Sequence, residues 1–150
     1  MLAQLLAVAV MVGSGLVAGV LFAVALSVLP ALLAMPADRY VYAHKLIGKR
    51  WDPTMPIIVL TSTALDVALA VVARTQNSLF VIGAVLLLFV SIVSHFCNVP
   101  INRVVKSLDP NEIPAQWQDP RPLWRRWHLL RTALAVLAAL VNAVAIIGAF

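Results

Sequence analysis

The chain has 150 residues, 63% hydrophobic and 11% charged, with a formal net charge of +5 and one cysteine. That balance excludes an ordinary soluble core, and four apolar stretches of roughly 20 or more residues, each able to cross a hydrocarbon layer of ~30 Å, place it in a bilayer as one membrane domain over residues 1-150. A single cysteine excludes an intrachain disulfide, and Cys97, inside an apolar helix, reads as a packing residue.

The first stretch lacks a basic start and runs far beyond the roughly 7–15 apolar residues of a signal peptide, so it reads as a span. Gly15 and Gly19 stand there at small-xxx-small spacing, which predicts a helix-packing face. Pro30 and Pro36 then kink the run and end it near Met35. Residues 37-49 predict a short interfacial helix, with Tyr40, Tyr42 and Trp51 in the aromatic belt and His44 as an interfacial side chain. Pro53 and Pro56 open span two, and Asp66 falls near its middle on the same face as Ser62, Thr63 and Ala70. A carboxylate at that depth costs at least ~2.5 kcal/mol on insertion scales, which points to a partner or a role. Arg131 is its expected partner.

The polar turn 74–78 makes spans two and three antiparallel neighbours. Span three carries Ser91, His95, Asn98 and Asn102 on one stripe at 3.6 residues per turn, and Pro100 frees a backbone carbonyl near Phe96. The following polar loop, Arg103 to Pro120, is long for so small a unit, which suits either a lid or a solvated connector, with Trp117 docking it to the interface. Span four opens with Trp124, Trp127, His128 and Arg131 on one face, and Ala135, Ala138 and Asn142 continue that face inward. The expected fold is all-α, an integral membrane antiparallel four-helix bundle with spans at about 2-34, 55-74, 79-101 and 122-149.

Topology follows from the cations. Arg39, Lys45, Lys49 and Arg50 lie before span two and Arg103, Lys106, Arg121, Arg125, Arg126 and Arg131 after span three, against Arg74 alone in the other loop. The positive-inside rule puts loops 35-54 and 102-121 in the cytoplasm and both termini outside, in the cytoplasmic (inner) membrane. Topology and anionic headgroups account for these charges, so nucleic acid is not an expected partner.

His95, Asn98, Asn102, His128 and Arg131 fall at comparable depths, with Asp66 slightly deeper, and predict a pocket walled by Trp124, Trp127 and Phe96. Catalytic candidates are His95, Asn98, Arg131, Asp66 and His128; ligand-contacting candidates are Trp124, Trp127, Asn102 and Phe96. A metal site would need His95, His128 and Asp66 to converge, and a bis-histidine haem between spans three and four is a further option. A cofactor-free site with a histidine base and an Arg or Asn for an oxyanion needs no added ligand, and it is the arrangement favoured here.

Four spans in this length, Asn98-Val99-Pro100-Ile101-Asn102 closing span three and Trp124-x-x-Trp127-x-x-x-Arg131 opening span four together resemble the membrane family that includes anthrone oxygenases. His128 stands where that pattern is expected to have Asn. The resemblance implies oxygenation with O2 of a hydrophobic, anthrone-like aromatic ketone, of the kind polyketide assembly makes. It implies His95 as base, Arg131 or Asn98 on the enolate, and Trp124 and Trp127 stacking the rings. The contrasting expectation is a non-catalytic membrane module, alone or as a homo-oligomer, that binds a lipid, quinone, haem or partner subunit while its polar stripe joins the helices.

Overall fold

The computed structural model describes residues 1–73 and 75–150 and contains four long helices. They are α1 (Leu2–Ala34), α2 (Ala37–Val72), α3 (Asn77–Ser107) and α4 (Arg121–Ala149), all long and apolar enough to cross a membrane. Each packs against two others, α1 on α2, α2 on α3, α3 on α4 and α4 back on α1, so the four close a ring. Large apolar side chains such as Leu26, Leu60, Phe89, Leu140 and Ile147 cover the outside, which suits hydrocarbon and not water. The chain is an integral membrane protein. Arg74, the one cation expected on the far side, lies outside the described residues.

Three apolar layers fill the ring. Ala7, Val10, Leu69, Phe80 and Ala145 form the layer near the termini; Val17, Leu21, Val59, Leu87, Ala135 and Ala138 form the middle. Leu29, Leu32, Tyr40, Val41, Val105 and Trp124 form the third, at the end that carries the basic loops. Ala135 and Ala138 are fully buried, as the small-residue face of span four predicts. The predicted packing face of α1 is not where Gly15 and Gly19 place it. Both glycines are exposed with nothing near their Cβ positions, and α1 packs through Ser14, Val17, Ala18 and Leu21 instead.

Residues 37-49 do not form a separate interfacial helix, because α2 continues unbroken through Pro53 and Pro56. Each proline removes one helical hydrogen bond, to the carbonyls of Lys49 and Asp52, and both of these residues are exposed. Continuity puts His44, Gly48, Asp52, Met55 and Val59 on one face at steps of four, four, three and four.

Two π turns interrupt the α-helical register, Val24–Val28 in α1 and Ser94–Asn98 in α3. Each ends two residues before a proline, Pro30 or Pro100. The Leu29 N–H reaches back to the Val24 carbonyl and the Val99 N–H to the Ser94 carbonyl, so the wide turn makes room for the ring that follows. The extra residue per turn rotates the polar stripe of α3. Asn98 is fully buried, Ser94 turns inward, and His95, expected on the stripe, comes out to the exposed side.

The segment between α3 and α4 packs back onto the third layer through Leu108, Ile113 and Trp117, with the Trp117 ring 6.2 Å from Tyr40. Arg121 fastens this end. Its guanidinium lies 5.0 Å above the Tyr40 ring, pairs with Asp119 at 2.7 Å, and donates through Nη1 to the Leu32 and Met35 carbonyls at 3.0 and 2.6 Å. Those carbonyls end α1, so a cation there also meets the negative end of the helix dipole. Replacing Arg121 with Ala is expected to lower stability by about 2 kcal/mol, read as a lower midpoint of thermal unfolding in detergent.

Candidate functional site

A cavity of about 280 Å³ opens between the two π turns and the facing part of α2. Its floor and sides are apolar, from Val20, Leu21, Val24, Met55, Val59 and Val90, and its polar groups come from three helices: His44 and Asp52 of α2, Ser91, Ser94, Asn98 and Asn102 of α3, and His128 and Arg131 of α4. Ile47, Trp51, Pro56, Leu60 and His95 line it and are exposed, so the rim meets the lipid-facing side of the bundle. The Asp52–Lys106 ion pair lies at the same rim beside Gly48, where a Cβ would sit 3.1 Å from the Lys106 Nζ.

Arg131 is the cation of this cavity. Its Nε and Nη2 point at His128 Nδ1, at 3.3 and 3.0 Å, and its Nη1 at the Ser94 hydroxyl, at 3.3 Å. Among the described residues no carboxylate lies within ion-pair distance of it. Of the five N–H groups of an arginine these contacts use three, which leaves two. His128 is fully buried, and its Nε2 faces the Leu21 carbonyl at 3.1 Å, which can only accept. The proton therefore sits on Nε2 and Nδ1 accepts from Arg131, so His128 holds the guanidinium and has no nitrogen left over.

A second set of bonds holds the wall beside it. Asn102 Oδ1 accepts from the Trp124 indole at 3.0 Å and from His44 Nε2 at 3.2 Å, linking α2, α3 and α4. The Trp124 ring stacks on His128 at 5.1 Å with 8° between planes, and the His44 ring meets its edge at 5.7 Å. Trp124 thus has protein neighbours on its surfaces and forms wall. Asn98 is fully buried, its Nδ2 at 3.5 Å from the Trp124 carbonyl and its Oδ1 without a partner.

The fold thus brings together Asn98, Asn102, Trp124, His128 and Arg131, with His95 at the rim. It does not bring Asp66, Trp127 or Phe96. Phe96 is 71% exposed, because the π turn swings it outward with His95, and Trp127 is half-buried away from the cavity. Asp66 does not meet Arg131. Its Oδ2 accepts from Asn142 Nδ2 at 3.1 Å, about 16 Å further along α4, and both residues are fully buried. The proposed metal set of His95, His128 and Asp66 is consequently not assembled, and no group of three His, Cys, Asp or Glu side chains converges among the described residues. His44, read from sequence as an interfacial side chain, is only 5% exposed and belongs to the cavity. The spacing to Gly48, Asp52, Met55 and Val59 was the available signal, and reading a helix break near Pro53 hides it.

Gly83 makes the Asp66–Asn142 contact spatially possible, since a Cβ there would lie 2.2 Å from Asn142 Oδ1. Gly83→Ala should cost about 1–3 kcal/mol in thermal unfolding, and adding Asn142→Ala should recover part of that loss in a double-mutant cycle.

Four membrane-length helices surround a partly enclosed cavity whose arginine has no carboxylate within ion-pair distance among the described residues, in a small integral membrane protein. A family model described as anthrone oxygenase matches residues 2–141, and the chain belongs to that family. No curated protein and no solved structure matches it.

Proposed function

We propose that the protein is a membrane oxygenase that uses O2 on a hydrophobic, anthrone-like aromatic ketone held in the cavity beside Arg131. The observation that carries this reading is Arg131 itself: a guanidinium among apolar side chains, steadied by neutral partners, with two N–H groups to spare. An oxyanion that forms there gains far more than in water, since the donors are already oriented and little solvent competes. Membership of the anthrone oxygenase family supports the same chemistry. The lipid-side rim suits a poorly soluble substrate that arrives from the bilayer, and exposed Trp51 offers it an aromatic surface. The unpartnered Asn98 Oδ1 suits a substrate hydroxyl.

The reaction balances without a further reductant. A base takes a proton from the CH2 beside the aromatic rings, and the electron pair moves to the carbonyl oxygen, where Arg131 holds it. The carbanion carbon bonds O2 to give a peroxide anion, which takes back that proton. Loss of the second C–H proton then breaks the O–O bond, leaving a new carbonyl and hydroxide, which leaves as water. One oxygen atom stays in the quinone and the other becomes water.

The cavity lies at the end where both basic loops sit, so by the positive-inside rule it opens on the cytoplasmic side of the inner membrane, with the termini outside. Residues 1–150 act as one membrane domain, and the loop between α3 and α4 packs on it through Trp117 and Tyr40. The Asn102 and His128 bonds between helices favour a second reading, a site that binds but does not react. Purified protein with anthrone separates the two by O2 uptake. Arg131→Gln is expected to lower turnover about 10²- to 10³-fold with little change in binding. Full turnover in that variant removes Arg131 from the chemistry, and binding without O2 uptake in the unaltered protein leaves the second reading.

A further inference from the structure

The oxygenase reading needs a base, and His95 is poorly placed to be one. Its ring lies on the exposed side with Phe96 as its neighbour, 5.0 Å away, and no hydrogen bond among the described residues orients it. His128 has both nitrogens occupied. The third histidine differs from both. His44 lines the cavity, is 5% exposed, and is gripped on one nitrogen only.

The tautomer follows from the partners. The Trp124 indole nitrogen can only donate, so the Asn102 atom it meets at 3.0 Å is the amide oxygen. That same oxygen lies 3.2 Å from His44 Nε2. An oxygen acceptor requires a proton on Nε2, which leaves Nδ1 of the neutral ring unprotonated, and Nδ1 makes no hydrogen bond among the described residues. Tyr40 and Trp124 set the ring plane with edge contacts at 5.4 and 5.7 Å.

Resting on the oxygenase reading, we propose that His44 is the catalytic base, with Asn102 as the residue that positions it and fixes its tautomer. Nδ1 takes the substrate C–H proton and the electron pair passes to the ketone oxygen. The imidazolium keeps its Nε2–H on Asn102 and returns the proton to the peroxide anion; the neutral ring so restored takes the second C–H proton through Nδ1 and gives it to the departing hydroxide. The base is regenerated twice per turnover, once for each C–H proton.

Proton removal can be read apart from oxidation, by exchange of the acidic CH2 of anthrone with D2O under anaerobic conditions. The unaltered protein in detergent is expected to accelerate that exchange. In His44→Gln, which retains a donor for Asn102 but no basic nitrogen, exchange and aerobic turnover should both fall about 10²- to 10⁴-fold, with anthrone affinity within about 3-fold. Asn102→Asp gives a second readout that a merely structural role would not move. A carboxylate on Nε2 favours the imidazolium, so the acidic limb of the pH–rate profile should move up by about one unit. The other groups facing His44 stay in place: Tyr40 and Asp52 on its own helix, Lys106 of α3, and His128 and Arg131 of α4.

Exchange that persists in His44→Gln and is lost in His95→Ala overturns the assignment while leaving the oxygenase reading intact. An unshifted profile in Asn102→Asp does the same. Neither exchange nor O2 uptake by the unaltered protein overturns the oxygenase reading, and the base with it.

Discussion

A guanidinium in hydrocarbon with no carboxylate in direct contact among the described residues is the constraint on which the cavity depends. A charged side chain at the centre of a spanning helix costs about 2.5–3.5 kcal/mol on insertion scales, and Arg131 begins about 15 Å along α4 from Arg121. The cost is met by neutral acceptors, His128 Nδ1 and the Ser94 hydroxyl, which leave the charge uncancelled. An aspartate in their place would have been the cheaper structural solution and would have neutralised the cation. His128 in turn needs the Leu21 carbonyl to hold its tautomer, and so α1 is tied to α4 through the same residue that aims the charge.

The two π turns serve this arrangement. Both end two residues ahead of a proline, both line the cavity, and both pack toward α4. A regular helix of α3 would put His95 and Asn98 on one inward stripe. The wider turn instead buries Asn98 beside Ser94 and releases His95 and Phe96 outward. The polar face thereby changes from a line of four residues to a compact group near Arg131. Asn102, one turn further on, faces the other way around the same space and joins His44 to Trp124.

Polar groups are divided between two levels of the ring. Asp66 and Asn142 meet each other near Gly83, in the half that holds the termini, and hold α2 to α4 past α3. The cavity is in the opposite half, where Arg121 and the packed loop fasten the ends of α1 and α4. Asp66 is kept out of the cavity, and Asp52, which lines it, pairs with Lys106, so among the described residues no carboxylate lies within ion-pair distance of Arg131.

Some of this was legible in the residues alone. Hydrophobic runs of membrane length fix four helices because backbone groups in lipid must bond internally, and small residues on α4 mark its inward face without any knowledge of the partners. The Asn-Val-Pro-x-Asn and Trp-x-x-Trp-x-x-x-Arg motifs lie at the ends of α3 and α4 that line the cavity, though Trp127 does not. The rest depended on tertiary structure. A π turn changes which side a residue faces, and its presence is decided by how proline is accommodated against neighbouring helices. The exposed prolines of α2 cost one bond each and did not break the helix, so His44 came into the cavity. Whether Asp66 meets Arg131 or Asn142 is set by axial position and by the space at Gly83, neither of which a single helix reveals. Periodicity can name the polar residues of each helix, but only packing selects their partners.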